Sequence, residues 1–184
     1  MHTFVSMLRG INVSGQKVIK MSRLKALYES VGFADVTTYI QSGNVIFGSS
    51  SNDPSSIGKM IVAAIEKSFG FSITVIIRRS SELGRIIRAC PFVALSQIDE
   101  SKLYVTFLNS RPTPTLVKAL GLLAAKTRDQ YKLVGSEIYL HCPQGYGKTA
   151  FSNAFFEKQL KVAATTRNWR TVNTLFAMSS TRDE

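Results

Sequence analysis

The sequence predicts an α+β chain made of one unit repeated twice. Three observations predict it. Each half spells the same order of elements: strand, helix, hairpin, helix, strand, helix. Short polar turns, Gln41-Ser42-Gly43 and Gly135-Ser136, fall at matching places in that order. The composition, 184 residues with 45% hydrophobic and 19% charged, suits a chain that buries a core without metal or disulfide staples. The βαββαβ order is the ferredoxin-like, or split-βαβ, arrangement: an antiparallel sheet with two helices on one face. The repeat is faint in residues and clear in element order. It sets one half at residues 1–92 and the other at 93–184, with the break in the proline-bearing stretch from Pro91 to Asp99. The halves either pack as one compact domain or join at their edge strands.

Taken in order, Phe4 to Leu8 reads as a short buried strand. Met21, Leu24, Leu27, Tyr28 and Val31 recur at helical spacing, and Gly32 suits the stop. Val36 to Ile40 and Asn44 to Phe47 are β-rich runs joined by a turn in which Gly43 can take positive φ. Asp53-Pro54 is an N-cap followed by proline at the first helical position. The helix it starts carries Ile57, Met60, Ile61, Ala64 and Ile65 on one face and ends near Gly70. Ser72 to Ile77 is a strand, and Ser81 to Ala89 a helix stopped by Pro91. In the second half, Leu103 to Leu108 is a strand and Pro114 to Leu123 a helix. Gln130 to Val134 and Glu137 to His141 form a hairpin. Ser152 to Leu160 is a helix, Val162 to Thr165 a short strand, and Asn168 to Met178 a final helix.

Several classes are set aside. No stretch approaches the roughly 18 apolar residues of a spanning helix, and Met1 to Leu8 lacks the pattern of a secretory leader. A cytoplasmic protein is therefore expected. Cys90 and Cys142 are the only cysteines, too few for a disulfide framework. With no CxxC and two histidines, neither a metal site nor another cofactor is called for. His141 and Cys142, as strand neighbours, should point to opposite faces. The net charge is +11. It is densest from Gln144 to Arg182, where Lys148, Lys158, Lys161, Arg167, Arg170 and Arg182 face a single acid, Glu157. A basic surface favours polyanions through long-range attraction and counterion release. An idle basic surface is the competing reading.

Four motifs are candidates for chemistry. Arg9-Gly10-Ile11-Asn12-Val13-Ser14-Gly15 leaves the first strand with free backbone amides for an anion, and Arg9 can grip phosphate or carboxylate. Its competitor is a structural loop in which Asn12 bonds backbone. Gln41, Ser42 and Asn44 could orient a ligand beside that loop; a hairpin turn that uses them only for geometry is the commoner case. Gly145-Tyr146-Gly147-Lys148-Thr149 resembles the end of a phosphate-binding loop, but the pattern needs glycine where position 142 is Cys. What remains is an anion site at a helix N-terminus with Lys148 and Thr149, and Tyr146 to stack on a base. Thr165-Thr166-Arg167-Asn168-Trp169-Arg170 joins hydroxyls, two arginines and the one Trp. Asn168 or Thr166 alternatively caps the last helix, and Trp169 belongs to the core. Arg167 sits after its strand as Arg78 or Arg79 does after the matching one, a pair of basic sites by repeat logic. For catalysis, His141 is the sole plausible general base, and no paired carboxylates fall in a recognised motif.

Longer segments carry a family resemblance. They are Leu8-Arg9-Gly10-Ile11-Asn12-Val13-Ser14-Gly15, Tyr39-Ile40-Gln41-Ser42-Gly43-Asn44-Val45-Ile46-Phe47 and Val105-Thr106-Phe107-Leu108. Tyr139-Leu140-His141, Gly145-Tyr146-Gly147 and Ala163-Ala164-Thr165-Thr166-Arg167-Asn168-Trp169 follow. Together they resemble the bacterial domain-of-unknown-function 1697 family, in one register over essentially the whole chain. The resemblance implies a duplicated fold of ferredoxin-like units. It implies no established activity and so carries no catalytic residue. The family pattern has Gly at Ser14 and Lys161, Asn or Asp at Cys90, an aromatic or polar residue at Cys142, and Asn at Arg170. The departures at Lys161 and Arg170 make this member more basic.

The expected function is binding of a phosphate-bearing partner, nucleic acid before a phosphorylated small molecule. Arg9, Asn12, Lys148, Arg167 and Arg170 would meet phosphates, and Tyr146 would stack. The alternative is a small-molecule enzyme or sensor with a pocket from Arg9, Asn12, Gln41, Asn44 and His141.

Overall fold

The computed structural model describes residues 1–94, 98–122 and 128–182. The first sheet holds β1 (His2–Leu8), β2 (Ala34–Tyr39), β3 (Asn44–Ser49) and β4 (Val75–Arg79), in the order β2-β3-β1-β4. The second holds β5 (Leu103–Leu108), β6 (Gln130–Val134), β7 (Glu137–His141) and β8 (Ala164–Asn168), in the order β6-β7-β5-β8. Every pairing is antiparallel. Helices α1 (Met21–Ser30), α2 (Pro54–Phe69) and α3 (Ser80–Arg88) punctuate the first set, and α4 (Pro114–Gly121), α5 (Asn153–Leu160) and α6 (Trp169–Ser180) the second. The duplicated ferredoxin-like order is thus present twice. The two compact units are Met1–Arg85 with the chain from Thr174 on, and Ile86–Asn173.

Local chemistry explains the elements. Asp53 accepts from the amides of Ser55 and Ser56, Pro54 fills the first turn, and Gly70 closes α2 at φ 76°. Ile57, Ile61 and Ile65 recur every fourth residue, so α2 buries one stripe. In the first unit that stripe and α1's Leu24 and Tyr28 cover Phe4, Leu8, Val45 and Phe47 of the sheet. Tyr28 meets Phe47 edge-on at 5.3 Å, and its hydroxyl bonds Ser6 Oγ at 2.8 Å, so the buried phenol is satisfied. In the second unit, Phe156 and Leu160 of α5 and Leu120 of α4 cover Leu108, Ile138, Leu140 and Cys142. The other faces are buried as well: Val5, Met7, Ile46 and Ile76 in one sheet, Leu103, Val105, Phe107 and Tyr139 in the other. Burial on both faces is why these strands carry apolar residues on both sides, β5 included, where the alternation of Leu103, Val105 and Phe107 predicts one buried face.

Two expectations are corrected. The last strand is Ala164–Asn168, starting two residues and ending three residues later than Val162 to Thr165, so Arg167 lies within it rather than after it. Register also settles its counterpart. Arg167 stands opposite Val105 on β5, and Arg78 stands opposite Val5 on β1. Edge strand β2 breaks register between Ala34 and Thr37, with Asp35 at φ 50°. There the Arg182 guanidinium donates to the Asp35 carbonyl and, at 2.7 Å, to Thr37 Oγ1.

Candidate functional site

The loop between β1 and α1 is pinned at two apolar residues, Ile11 (2% exposed) and Ile19 (1%). Between them the chain must fold back in few residues. Asn12, Ser14, Gly15 and Lys17 all take positive φ to do it. The Asn12 amide holds the result. Its Nδ2 donates to the carbonyls of Ile19 (3.0 Å) and Gln41 (2.8 Å), and its Oδ1 accepts from the Ile19 amide at 2.8 Å. The Leu8 amide bonds the Gly43 carbonyl at 2.9 Å. Loop and turn therefore come to one edge, as the reading of Gln41, Ser42 and Asn44 required. Their side chains largely serve the turn: Asn44 Nδ2 donates to the Tyr39 carbonyl and to Ser42 Oγ. Gln41 is exposed and Ser42 half-buried.

Around this frame lies a cationic ridge. The Arg9 amide bonds the Thr74 carbonyl, and Lys17 Nζ the Ser72 carbonyl, both at 2.9 Å. Lys17 lies 5.8 Å over the Phe71 ring and Arg23 lies 5.0 Å over Phe69. Those rings stack at 6.2 Å. Exposed Lys20, between Lys17 and Arg23 in sequence, is the residue before the first turn of α1. No Asp or Glu occurs before Glu29, which pairs with Lys25 at 3.7 Å. Sequence reasoning passed over Lys17, Lys20, Arg23, Phe69 and Phe71. The acid-free first 28 residues were the available signal.

The second-unit candidates separate. Lys148 is exposed in a single 3-10 turn, Tyr146–Lys148, and α5 begins only at Asn153, capped by Ser152. Lys148 and Thr149 are thus not at a helix N-terminus; the Thr149 hydroxyl donates to Asp129 Oδ2 at 2.6 Å. Tyr146 packs 5.3 Å from Tyr104, and its hydroxyl donates to Thr166 Oγ1 at 3.0 Å. Thr166 donates onward to Asn153 Oδ1 at 2.7 Å, so Thr106, 2.7 Å away, must donate to Thr166. Arg167 is 7% exposed and donates to Thr165 Oγ1 and the Thr166 carbonyl, both at 2.9 Å. Burial pushes its guanidinium down to about 10. Its counterpart Arg78, 9% exposed, donates to the Ile77 carbonyl at 2.9 Å. The repeat-related arginines are interior groups, not surface ones. Exposed Asn168 accepts from the Thr171 amide at 2.7 Å and so caps α6; Trp169 is buried and Arg170 exposed. His141 stands 6.2 Å from Phe92, with Nδ1 buried and unbonded. Cys142 lies on the opposite face, in the helix-covered core.

Residues 1–139 match the family model described as "Protein of unknown function (DUF1697)". The chain belongs to this family. Among solved structures, the conserved bacterial protein SP0830 from Streptococcus pneumoniae shares the fold at TM-score 0.78 and 18% identity. That match covers 98% of this chain and 99% of that one. No curated protein matches the chain. In this DUF1697 member, Ser14 and Lys161 adopt φ 50° and 57°. Glycine takes those values without strain, so both positions carry a backbone cost that glycine would not. Among the described residues, no group of three or more His, Cys, Asp or Glu could hold a metal ion, and no helix is long and apolar enough to cross a membrane.

Proposed function

We propose that this DUF1697 protein binds a phosphate-bearing polyanion, nucleic acid, on the cationic ridge of its first unit. One observation carries the reading. Arg9, Lys17, Lys20 and Arg23 follow one another from the end of β1 to the first turn of α1, with no carboxylate before Glu29. Cations so arranged attract phosphates at long range and gain by releasing counterions. Phe69 and Phe71 hold Arg23 and Lys17 over their faces, which limits the freedom lost on binding. Asn12 acts behind the surface by keeping the loop closed.

The test is fluorescence anisotropy with labelled RNA and duplex DNA at two salt levels. Three or four phosphate contacts should lower affinity about 40- to 150-fold between about 50 and 200 mM salt. Replacing Lys17, Lys20 and Arg23 together by Gln should flatten that slope to near one contact. Salt-independent binding, or a triple variant with the parental slope, refutes the proposal.

A further inference from the structure

The two units differ where the loop after the first strand meets the hairpin. In the first unit, residues 9–20 join β1 to α1. There Ile11 fills the space beside the turn so closely that a Cβ on Gly43 would fall 2.6 Å from its Cδ1. In the second unit only residues 109–113 join β5 to α4, and the hairpin turn is only Gly135-Ser136. The backbone anchor persists, since the Leu108 amide bonds the Ser136 carbonyl at 2.9 Å as Leu8 bonds Gly43. The filling residue does not. Among the described residues, a hollow of about 760 Å³ opens there instead. That volume suits a small ligand.

Its lining has two chemistries. Pro112, Pro114, Val117 and Leu133 supply apolar surface. Arg111 and Lys118 supply two cations, and no carboxylate lines the hollow. Neither cation bonds a described residue. The Glu137 carboxylate stands 3.8 Å from where a Gly135 Cβ would be and is not part of the lining.

We propose that this hollow binds a small organic anion: a carboxylate head on an apolar body the size of a phenyl ring or short alkyl chain. The apolar body takes the place that Ile11 fills in the first unit. The head meets Arg111, whose planar fork suits a carboxylate, with Lys118 as a second positive charge. The site is independent of the cationic ridge, because it uses other residues of another unit.

The test is titration of the full chain, labelled with nitrogen-15, by sodium benzoate and sodium hexanoate, followed by amide shifts. Benzamide and hexan-1-ol serve as neutral isosteres, and inorganic phosphate as a head without a body. Saturable shifts at Val117, Lys118 and Gly135 are expected for both carboxylates. The neutral isosteres and phosphate should each bind at least about tenfold more weakly. Arg111→Gln with Lys118→Gln should erase the preference for charge while the remaining amide spectrum stays in place. Equal binding of benzoate and benzamide, equal binding of phosphate, or no saturable shift with either carboxylate overturns the proposal. So do shifts at these residues that track protein concentration instead, which would assign the hollow to a second copy of the chain.

Discussion

Gly43→Ala is expected to cost far more than a left-handed backbone alone explains. Two glycines make the comparison. Gly43 and Gly15 adopt nearly the same φ, 76° and 74°. At Gly15 an added Cβ meets nothing within 4 Å; at Gly43 it meets Ile11 Cδ1 at 2.6 Å and Leu8 Cβ at 2.8 Å. The backbone cost common to both is about 1 kcal/mol. Overpacking against two core residues adds about 2 kcal/mol at Gly43 alone. Gly15→Ala should therefore lose about 1 kcal/mol and Gly43→Ala about 3 kcal/mol. Ile11→Ala removes Cδ1 from the clash but leaves Leu8 Cβ. In that background the excess at Gly43 should shrink by about half. Guanidinium unfolding followed by circular dichroism measures the parent, the three single variants and the Ile11→Ala, Gly43→Ala double variant. Equal losses for the two glycine variants would refute the assignment of Ile11 as the residue that fills the turn.

Other outcomes follow from the same geometry. Lys161→Gly should raise stability by about 0.5–1 kcal/mol in the same assay, because Lys161 closes α5 at φ 57°. Thr166→Val should cost about 1–3 kcal/mol, since Tyr146 and Asn153 both lose their partner, and Tyr146→Phe should cost less. Burial pushes the Cys90 and Cys142 thiols above their ordinary 9.0. The unfolded thiols ionise first, so the stability they contribute is full below about pH 9 and is lost as pH rises above it. Midpoints at about pH 8 and 10 should therefore fall less in a Cys90→Ala, Cys142→Ala variant than in the parent.

Legibility followed the chemistry of individual residues. The hairpin of Gln130–Val134 and Glu137–His141 was readable to the residue, because Gly135-Ser136 leaves room for only one connection. Asp53-Pro54 and Gly70 marked both ends of α2. The strand Ala164–Asn168 was misplaced because it carries Thr165, Thr166 and Arg167 where apolar residues are the usual signal. Those polar groups are tolerated inside because each has a bond: Thr166 to Asn153, Arg167 to Thr165. For the site, the approach of Arg9 and Asn12 to the Gln41–Asn44 turn was readable as a condition on the fold. The ridge was not, because Lys17 and Arg23 find Phe71 and Phe69 only after some fifty intervening residues have folded. Nor was the interior place of Arg167, which depends on strand register rather than on residue type.

The bulge in β2 has a practical consequence for handling the protein. An outermost strand offers its bare carbonyls to any passing peptide, and proteins guard such borders by bending them or occupying their acceptors. Here both devices meet at Asp35: the backbone turns aside, and Arg182 occupies the carbonyl. That guard hangs from the segment after α6, so trimming the chain after Ser180 would leave every named core residue in place. It would also open a seam along which preparations could aggregate on storage. Tags and proteolytic clean-up are best kept away from that end.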